Sequence, residues 1–281
     1  MLIFHKVSDI RKWLDQQVLA GQSVGFVPTM GALHQGHLSL IEQSRERTQV
    51  TVSSIFVNPT QFNDPKDFEK YPVTIQQDIQ LLIKTGCDIL FLPSASEIYP
   101  NGTAHLPHYE LGYLETVLEG KYRPGHFQGV CQVVHRLLEI VQPNLLFLGQ
   151  KDFQQCMVIK KLIEQTGLST QVQIIPTLRE NDGLAMSSRN MRLSETERAN
   201  ATSIHQALLQ MKGQLQQGSV LKLKQKTTDF LKNKGFRVDY AELAKADTLD
   251  LVDEWNGQDK LVALIAAYLN EVRLIDNMIL T

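Results

Sequence analysis

The chain has 281 residues, of which 43% are hydrophobic and 21% are charged, and its formal net charge at pH 7 is −2. This balance is ordinary for a globular protein with a substantial core, and it excludes a general binder of nucleic acid or of an anionic membrane surface. Three widely spaced cysteines, Cys87, Cys131 and Cys156, form no C-x-x-C pair and predict reduced thiols in a cytoplasmic protein. We expect no signal peptide, because charge returns within the first few residues, and no membrane span, because the longest apolar run is 261–269.

The first part of the chain alternates short β-rich runs with helical patterns. The runs at residues 24–28, 50–57, 88–92, 145–149 and 172–176 are rich in Val, Ile, Leu or Phe, as strands buried on both faces are. A helix is predicted up to Val141, because apolar residues recur at helical spacing from Val130 and Pro143 follows. This alternation indicates a parallel sheet whose ligand loops lie at the carboxyl ends of the strands.

After Pro176 the sequence becomes more polar. Asp182 and Gly183 predict a turn, and Ser194 with Glu197 predicts a capping box that opens a long helix. A further helix and three β-rich runs, at 238–243, 261–268 and 272–275, predict a small antiparallel sheet. The predicted fold class is therefore α/β: a Rossmann-like parallel-sheet domain at residues 1–180, followed by a smaller α+β domain at 181–281 that we expect to cover the ligand loops.

The loop after the first of these predicted strands, VPTMGALHQGH at residues 27–37, has the features of an anion site. Gly31 and Gly36 have the spacing of a Walker A loop, but the Lys and the Ser or Thr that should follow are missing. A helix that begins near Gly36 would direct its N–H groups at an anion, and His34 and His37, one turn apart, could each donate to a phosphate. The alternatives are a solvated histidine pair and two ligands of a metal site. Zinc is disfavoured, because no nearby cysteine or third histidine has ligand spacing.

Two further segments offer the cations that the glycine loop lacks. In GQKDFQQ, residues 149–155, Lys151 would lie at the carboxyl end of a strand and Asp152 could accept a hydrogen bond from a ribose; a solvated Lys–Asp pair that caps a helix is the alternative. In MSSR, residues 186–189, two hydroxyls and the Arg189 guanidinium could hold a leaving pyrophosphate, although a polar linker has the same composition. Together these segments predict a nucleotide site assembled from separate loops.

Six motifs carry a resemblance to a known family: PTMGALHQGH, IFVNPTQF, EIYPNG, RPGHFQGV, GQKDFQQ and MSSRN. In this order and at these spacings the chain resembles the pantoate–β-alanine ligases, and the resemblance extends to the closing RLIDN at residues 273–277. That family belongs to the nucleotidyltransferases with a His-x-Gly-His signature, a group that includes the class I aminoacyl-tRNA synthetases. The resemblance implies that the first domain is a nucleotidyltransferase domain and that the glycine loop is an ATP site.

The resemblance implies a two-step reaction. The carboxylate of (R)-pantoate attacks the α-phosphorus of ATP and expels pyrophosphate, and the amine of β-alanine then displaces AMP from pantoyl adenylate to give pantothenate. By the same resemblance His34, His37, Lys151 and Arg189 are catalytic. Gln61 contacts both pantoate and β-alanine, and Gln155 is the second pantoate ligand. The implied ATP-binding residues are Met30, Gly31, Ala32, Leu33, His34, Gln35, Gly36, His37, Gly149, Gln150, Lys151, Asp152, Leu178, Met186, Ser187, Ser188 and Arg189.

The resemblance also implies ATP as co-substrate, Mg²⁺ as a cofactor with no assigned protein ligand, and a cytoplasmic homodimer without nucleic-acid or membrane partners. Two rival interpretations stay open. One is an adenylyltransferase that transfers AMP without forming an amide, which NPTQF and KDFQQ disfavour. The other is a nucleotide-sensing module that binds ATP without turnover, which the complete set of polar motif residues disfavours.

Overall fold

The computed structural model describes residues 1–63 and 68–281, which form two compact units. The first unit comprises Met1–Gly149 and Gln155–Pro176, and the second comprises Gln150–Gln154 and Thr177–Thr281. The short segment Gln150–Gln154, which carries Lys151, therefore groups with the last third of the chain. The predicted division into domains 1–180 and 181–281 stays a prediction, because a domain is defined by its ability to fold alone.

A six-stranded parallel sheet forms the centre of the first unit, so the predicted sheet is confirmed. The strand order is β1-β4-β3-β2-β5-β6. The strands are β1 Leu2–Phe4, β2 Val24–Thr29, β3 Val50–Ile55, β4 Ile89–Phe91, β5 Leu145–Gly149 and β6 Gln171–Ile175. The sequence pattern does not predict β1, because three residues at a partly exposed sheet edge are too few to show a buried run.

Helices connect these strands. Among the described residues they are α1 Val7–Leu19, α2 Gln35–Arg47, α3 Ile75–Thr85, α4 Ala95–Ile98, α5 Leu118–Tyr122, α6 His126–Val141 and α7 Phe153–Thr166. The helix α6 contains the predicted apolar stripe, which is buried from Val130 to Val141. It begins before that stripe, because Gly125 adopts a left-handed conformation (φ 80°) that starts the helix at His126.

The order of the parallel strands reverses between β2 and β5, which are neighbours in the sheet. In open parallel sheets, ligands bind outside the carboxyl ends of the strands at such a point. The glycine loop follows β2, the NPTQ segment follows β3, and Gly149 ends β5. Three of the predicted site segments therefore begin at this edge of the first unit.

The second unit is built on antiparallel strands. Its helices are α8 Glu195–Ala201, α9 Ser203–Gln214 and α10 Leu221–Asn233. Its main sheet has the order β11-β10-β8, with β8 Arg237–Lys245, β10 Leu261–Leu269 and β11 Val272–Ile279, and a short pair joins β7 Gly218–Ser219 to β9 Glu254–Trp255. This confirms the antiparallel sheet predicted from the three β-rich runs.

The predicted capping box at Ser194 is present, since the Ser194 hydroxyl accepts from the Glu197 backbone and the Glu197 carboxylate accepts from the Ser194 N–H. The long helix predicted after it is divided at Thr202, whose hydroxyl donates to the Ala199 carbonyl. Behind these helices, Leu208 and Leu243 belong to the buried core of the unit. Within residues 1–63 and 68–281, no helix is both long and apolar enough to cross a bilayer.

Candidate active site

The glycine loop leaves β2 in a conformation that requires glycine. The Thr29 hydroxyl donates to the Ser54 carbonyl (2.7 Å) and accepts from the Gly31 N–H (3.2 Å), which ties the start of the loop to β3. Gly31 has φ +83°, and a Cβ there would lie 3.1 Å from both Asp78 and Ile55. A side chain at this position would therefore meet a strained backbone and a closed space at once.

Asp78 on α3 fixes the middle of the loop. Its carboxylate, 1% exposed, accepts the N–H groups of Ala32 (2.9 Å) and Leu33 (2.8 Å) as well as the Thr74 hydroxyl (3.1 Å). These bonds support Ala32 in its left-handed conformation (φ 49°). The N–H groups of Ala32 and Leu33 are thus directed at Asp78, and the donors left for a phosphate are those at the entrance of α2, where a helix has no internal acceptor for its first N–H groups.

Asp78 is not among the predicted site residues, although the sequence contains a signal for it. Asp78 lies between Ile75, Ile79 and Leu82, positions that form one apolar face of α3. A single carboxylate in such a face must be buried, and a buried carboxylate needs donors. The pattern therefore predicts a structural role for Asp78, but the identity of its partners depends on the tertiary fold.

His34 and His37 lie together at the entrance of α2. His34 is the N-cap residue and His37 is the third residue of the helix. Their ring centroids are 4.0 Å apart, and the His34 backbone N–H donates to Nδ1 of His37 (3.3 Å). Because Nδ1 accepts this bond, the neutral His37 ring carries its proton on Nε2, which is the atom able to donate to an anion.

A second group of polar side chains holds Gln61 beside the glycine loop. The Gln61 amide donates to the Met30 sulfur (3.1 Å) and accepts from the Asn58 amide (3.2 Å). Asn58 is buried, donates to the Gly129 carbonyl (3.1 Å) and accepts from the Tyr99 hydroxyl (2.8 Å). The predicted pantoate residue thus lies next to the first predicted ATP residue, in an orientation that a chain of hydrogen bonds fixes.

The turn Pro59–Gln61, which carries Gln61, packs closely on α6. The His126 Nδ1 donates to the Gln61 carbonyl (2.8 Å). A Cβ on Gly129 would lie 2.3 Å from the Thr60 carbonyl oxygen and 2.7 Å from the Gln61 Cα, so only glycine permits this approach. The motif RPGHFQGV therefore supports the motif NPTQF through these two residues, His126 and Gly129.

In the second unit, Lys151 belongs to the turn Gln150–Asp152. The amide of Asn277 on β11 donates to the carbonyls of Gln150 (2.9 Å) and Lys151 (2.8 Å), and its oxygen accepts from the Gln150 side chain (3.2 Å). The Lys151 side chain is half-buried and Asp152 is exposed. Asn277 thus fixes the backbone of the turn, while the side chains of Lys151 and Asp152 remain accessible.

Leu178 and Met186 lie opposite each other in a hairpin of the same unit. The Met186 N–H donates to the Leu178 carbonyl (3.1 Å), the Glu180 N–H donates to the Leu184 carbonyl (2.8 Å), and the turn is the predicted one at Asp182 and Gly183. The next turn, Ser188–Arg192, begins where the Ser187 hydroxyl accepts the Arg189 N–H (3.3 Å). Leu178 and the MSSR residues therefore form one continuous, locally bonded segment.

The predicted site residues divide between the two compact units. Met30 to His37, Gln61, Gly149 and Gln155 lie in the first unit. Gln150, Lys151, Asp152, Leu178 and Met186 to Arg189 lie in the second. The roles assigned to these residues stay predictions. Among the residues that hold them, Asp78 and Asn277 have no role in the predicted site. The motif IFVNPTQF places Asn58 beside Gln61 but gives it no role.

The cysteines have the properties of structural thiols. Cys87, Cys131 and Cys156 are buried. Burial raises the pKa of Cys87 and that of Cys131 to about 12. Because the thiolate is the nucleophilic form, Cys87 and Cys131 are unreactive at neutral pH. Covalent catalysis by either of these cysteines is therefore not supported.

Comparison with known proteins identifies the family. A family model described as pantoate-beta-alanine ligase matches residues 2–279. The chain belongs to the pantoate–β-alanine ligase family. A pantothenate synthetase of Cytophaga hutchinsonii is 43% identical over 283 residues, covering 100% of this chain and 99% of that protein. One from Bacteroides fragilis (strain ATCC 25285) is 42% identical over 283 residues, covering 99% and 98%.

Solved structures of the family share the fold. The pantothenate synthetase of Thermus thermophilus has a TM-score of 0.91 at 40% identity and covers 99% of both chains. The pantoate-beta-alanine ligase of Francisella tularensis, complexed with beta-gamma ATP and beta-alanine, has a TM-score of 0.83 at 38% identity and covers 99% of this chain and 97% of that one. The family resemblance and the α/β fold class predicted from the sequence are therefore confirmed.

Proposed function

We propose that this enzyme condenses (R)-pantoate with β-alanine to give pantothenate, while ATP is converted to AMP and pyrophosphate. Membership of the pantoate–β-alanine ligase family supports this activity, and a relative from Francisella tularensis has been solved with beta-gamma ATP and beta-alanine. The observation that carries the proposal within this chain is the contact between the Gln61 amide and the Met30 sulfur. It brings a neutral amide, suited to a carboxylic acid, next to a glycine loop suited to a triphosphate.

The first step forms pantoyl adenylate. A carboxylate oxygen of pantoate attacks the α-phosphorus, the bond to the bridging oxygen breaks, and pyrophosphate leaves with that electron pair. We assign Gln61 and Gln155 to pantoate, because neutral amides bind the acid without adding charge. The N–H groups at the entrance of α2 and Nε2 of His37 would donate to the triphosphate, and Lys151 and Arg189 would offset the charge that builds on the leaving group.

The second step forms the amide. The β-alanine amine attacks the activated carbonyl, the carbonyl–phosphate bond breaks, AMP leaves, and the amine nitrogen loses a proton to solvent. This route needs no acylated side chain, which agrees with the raised pKa values of Cys87 and Cys131. The remaining ATP-binding residues are assigned as the resemblance implies them, with the Leu178 backbone at the adenine. Asp152 is assigned to the ribose, because its carboxylate can accept a hydrogen bond from a hydroxyl.

Mg²⁺ is part of the proposal, as a partner of the triphosphate. Within residues 1–63 and 68–281, no group of three or more His, Cys, Asp or Glu side chains is arranged to hold a metal. We place the ion on the phosphates and assign it no protein ligand. When bound to the phosphates, it would reduce the charge that an attacking carboxylate meets.

We further propose a homodimer in the cytoplasm, with small-molecule substrates and no nucleic-acid partner. The dimer is what the resemblance to the family implies, and the three buried thiols agree with a reducing compartment. Sedimentation of the purified protein tests the dimer. A monomer at working concentration would contradict it.

The activity is tested by exchange of labelled pyrophosphate into ATP, with pantoate present and β-alanine omitted. We expect exchange that depends on pantoate, and pantothenate with AMP once β-alanine is added. Amide formation without exchange would overturn the adenylate route. Exchange without pantothenate would favour transfer of AMP alone, and tight ATP binding with neither reaction would favour a nucleotide sensor.

A further inference from the structure

Two consecutive polar residues of β11, Asp276 and Asn277, are buried, with exposed fractions of 5% and 2%. β11 is an edge strand of the three-stranded sheet. Buried polar side chains are costly unless their hydrogen bonds are satisfied. The hydrogen bonds of these two side chains therefore indicate why two buried polar residues occur in this strand.

The Asn277 side chain forms three hydrogen bonds with the turn that carries Lys151. Its two N–H groups donate to the carbonyls of Gln150 and Lys151, and its oxygen accepts from the Gln150 amide. Three bonds from one planar amide fix the position and the orientation of this turn. The backbone of Lys151 is therefore held in place, while its side chain is half-buried.

The Asp276 side chain binds Arg179, a residue of the hairpin that carries Leu178 and Met186. Its carboxylate accepts two N–H groups of Arg179, at 2.6 and 3.0 Å. The Arg179 guanidinium also donates to the Gly183 carbonyl (3.1 Å) and to the Asn277 carbonyl (3.2 Å). A bidentate pair of this kind fixes direction as well as distance, so it aligns the hairpin with β11.

Adjacent side chains of a strand point to opposite sides, so one dipeptide can bind two different segments. β11 also packs against the turn Ser188–Arg192, which contains Arg189. The segments that we assign to ATP in the second unit thus all rest on one strand. Their mutual spacing depends on the register of Asp276 and Asn277.

We propose that Asn277 and Asp276 are positioning residues of the adenylation step, each for a different part of ATP. Asn277 places Lys151 at the phosphates, and Asp276, through Arg179, places the hairpin at the adenine. This inference rests on the proposed function. The two residues should have different kinetic effects. Loss of Asn277 lowers the maximal rate, whereas loss of the Asp276–Arg179 pair raises KM for ATP.

The role proposed for Asn277 is tested by a double-mutant cycle with Lys151, in which the rate of pantoate-dependent pyrophosphate exchange is measured. Asn277→Ala should lower the maximal exchange rate by on the order of tenfold to a hundredfold, because a displacement of about 1 Å is enough for such a loss. In a Lys151→Ala background the same substitution should change the rate by less than about twofold, because the group it positions is gone. Equal losses in both backgrounds would overturn the proposal.

The matched control is Asn200→Ala. The Asn200 amide also donates to a backbone carbonyl of the second unit, that of Lys234 (2.6 Å), but it holds no segment of the site. It should leave exchange unchanged. If Asn277→Ala does not fold by circular dichroism, Asn277→Ser, which keeps one donor, takes its place in the cycle. Wild-type exchange at Asn277→Ser, in a folded protein, would also overturn the proposal.

The role proposed for Asp276 is tested by comparing Asp276→Asn with the control variant Asp239→Asn. Asp239 on β8 pairs with Arg273 on β11 (2.8 Å), so it controls for loss of an ion pair in this sheet. Asp276→Asn should raise KM for ATP about tenfold, since one lost charge-assisted contact has that order of effect, and Asp239→Asn should not. Arg179→Lys replaces Asp276→Asn if the latter does not fold. An unchanged KM for ATP would overturn this arm.

Failure of the inference and failure of the proposed function are distinguishable. If the wild-type enzyme shows no pantoate-dependent exchange, the proposed function itself is wrong. If the wild type exchanges and Lys151→Ala is impaired, but the cycle is additive, only the positioning role is wrong.

Discussion

Two buried carboxylates hold segments of the candidate site, Asp78 in the first unit and Asp276 in the second, and they differ in what balances their charge. Asp78 accepts two backbone N–H groups and a hydroxyl, which are neutral donors. Asp276 accepts two N–H groups of the Arg179 guanidinium in addition to the backbone N–H of Asn277. The first carboxylate therefore fixes its loop without a cation, whereas the second forms an ion pair beneath its hairpin.

Under the proposed function, this difference bears on the absence of a Walker A lysine from the glycine loop. Residues 27–37 contain no Lys or Arg, and Asp78 adds a negative group behind them. Cations for a triphosphate must then come from elsewhere. In the proposed site they are Lys151 and Arg189 of the second unit, where Arg179 already neutralises Asp276.

Removal of Lys151 should have the largest effect and sharpens this comparison most directly. Lys151→Ala should lower the rate of pantoate-dependent exchange about a hundredfold, as loss of one donor to a developing charge does. The melting temperature should change little, because Lys151 is half-buried. The control Lys160→Ala, at an exposed position of α7, should leave exchange intact. A near-wild-type rate for Lys151→Ala would break the assignment of cations to the second unit.

Asp78→Asn tests the first side of the comparison. An amide donor would face the Ala32 or Leu33 N–H, so one buried bond is lost and one contact becomes repulsive. We expect the free energy of unfolding to fall by about 1–3 kcal/mol, and exchange to fall about tenfold because the loop loosens. Urea unfolding and exchange assays measure the two effects.

Asp88→Asn is the matched control, since the Asp88 carboxylate also accepts a backbone N–H, that of Thr51 (2.8 Å), but holds no part of the loop. It should cost stability without a specific loss of exchange. Equal activity losses in the two variants would mean that Asp78 has no special relation to the glycine loop.

The sequence was most informative where a pattern is local. The buried strands, the helix up to Val141 and the placement of the glycine loop after β2 follow from runs of neighbouring residues. Asn58 and Asn277 could not be predicted in the same way, because their partners, Gly129 and Lys151, lie far away in sequence. Their roles exist only once the strands have brought these segments together.

The same reasoning accounts for the two local misses. β1 is a three-residue edge strand whose pairing with β4, not its own pattern, defines it. The helix after Ser194 is interrupted at Thr202, because a threonine hydroxyl can bond the preceding turn of its own backbone. Secondary-structure propensity alone predicts neither the strand β1 nor the helix break at Thr202.

Gln61 tests whether the first unit binds the acid through neutral groups. Gln61→Ala should raise KM for pantoate roughly fivefold to tenfold, as loss of one hydrogen bond to a charged group does. Gln61→Glu keeps the shape but adds a negative charge beside a carboxylate, so its effect should be larger. Steady-state kinetics with pantoate varied separates the variants. A KM for pantoate that is unchanged in both would refute the assignment.

The smallest expected effect concerns the second unit alone. His205 on α9 packs against the hairpin turn, and a Cβ on Gly183 would lie 2.3 Å from its ring. The pKa of His205 is lowered, first by burial and then by the Arg179 charge, while Asp276 acts in the opposite direction. Because the folded pKa lies below the unfolded value of about 6.5, the unfolded chain binds more protons below that pH.

The stability that neutral His205 provides is therefore complete above about pH 6.5 and is lost as the pH falls through the folded pKa. Urea unfolding from pH 8 to pH 5 should show a steeper loss for the wild type than for His205→Gln, whose amide does not titrate. At pH 8, the difference in the free energy of unfolding between the two proteins measures the cost of the altered packing. Any further change in this difference at lower pH measures the effect of protonating His205. Parallel stability curves would mean that the pKa of His205 is not lowered on folding, because Asp276 offsets both burial and the Arg179 charge.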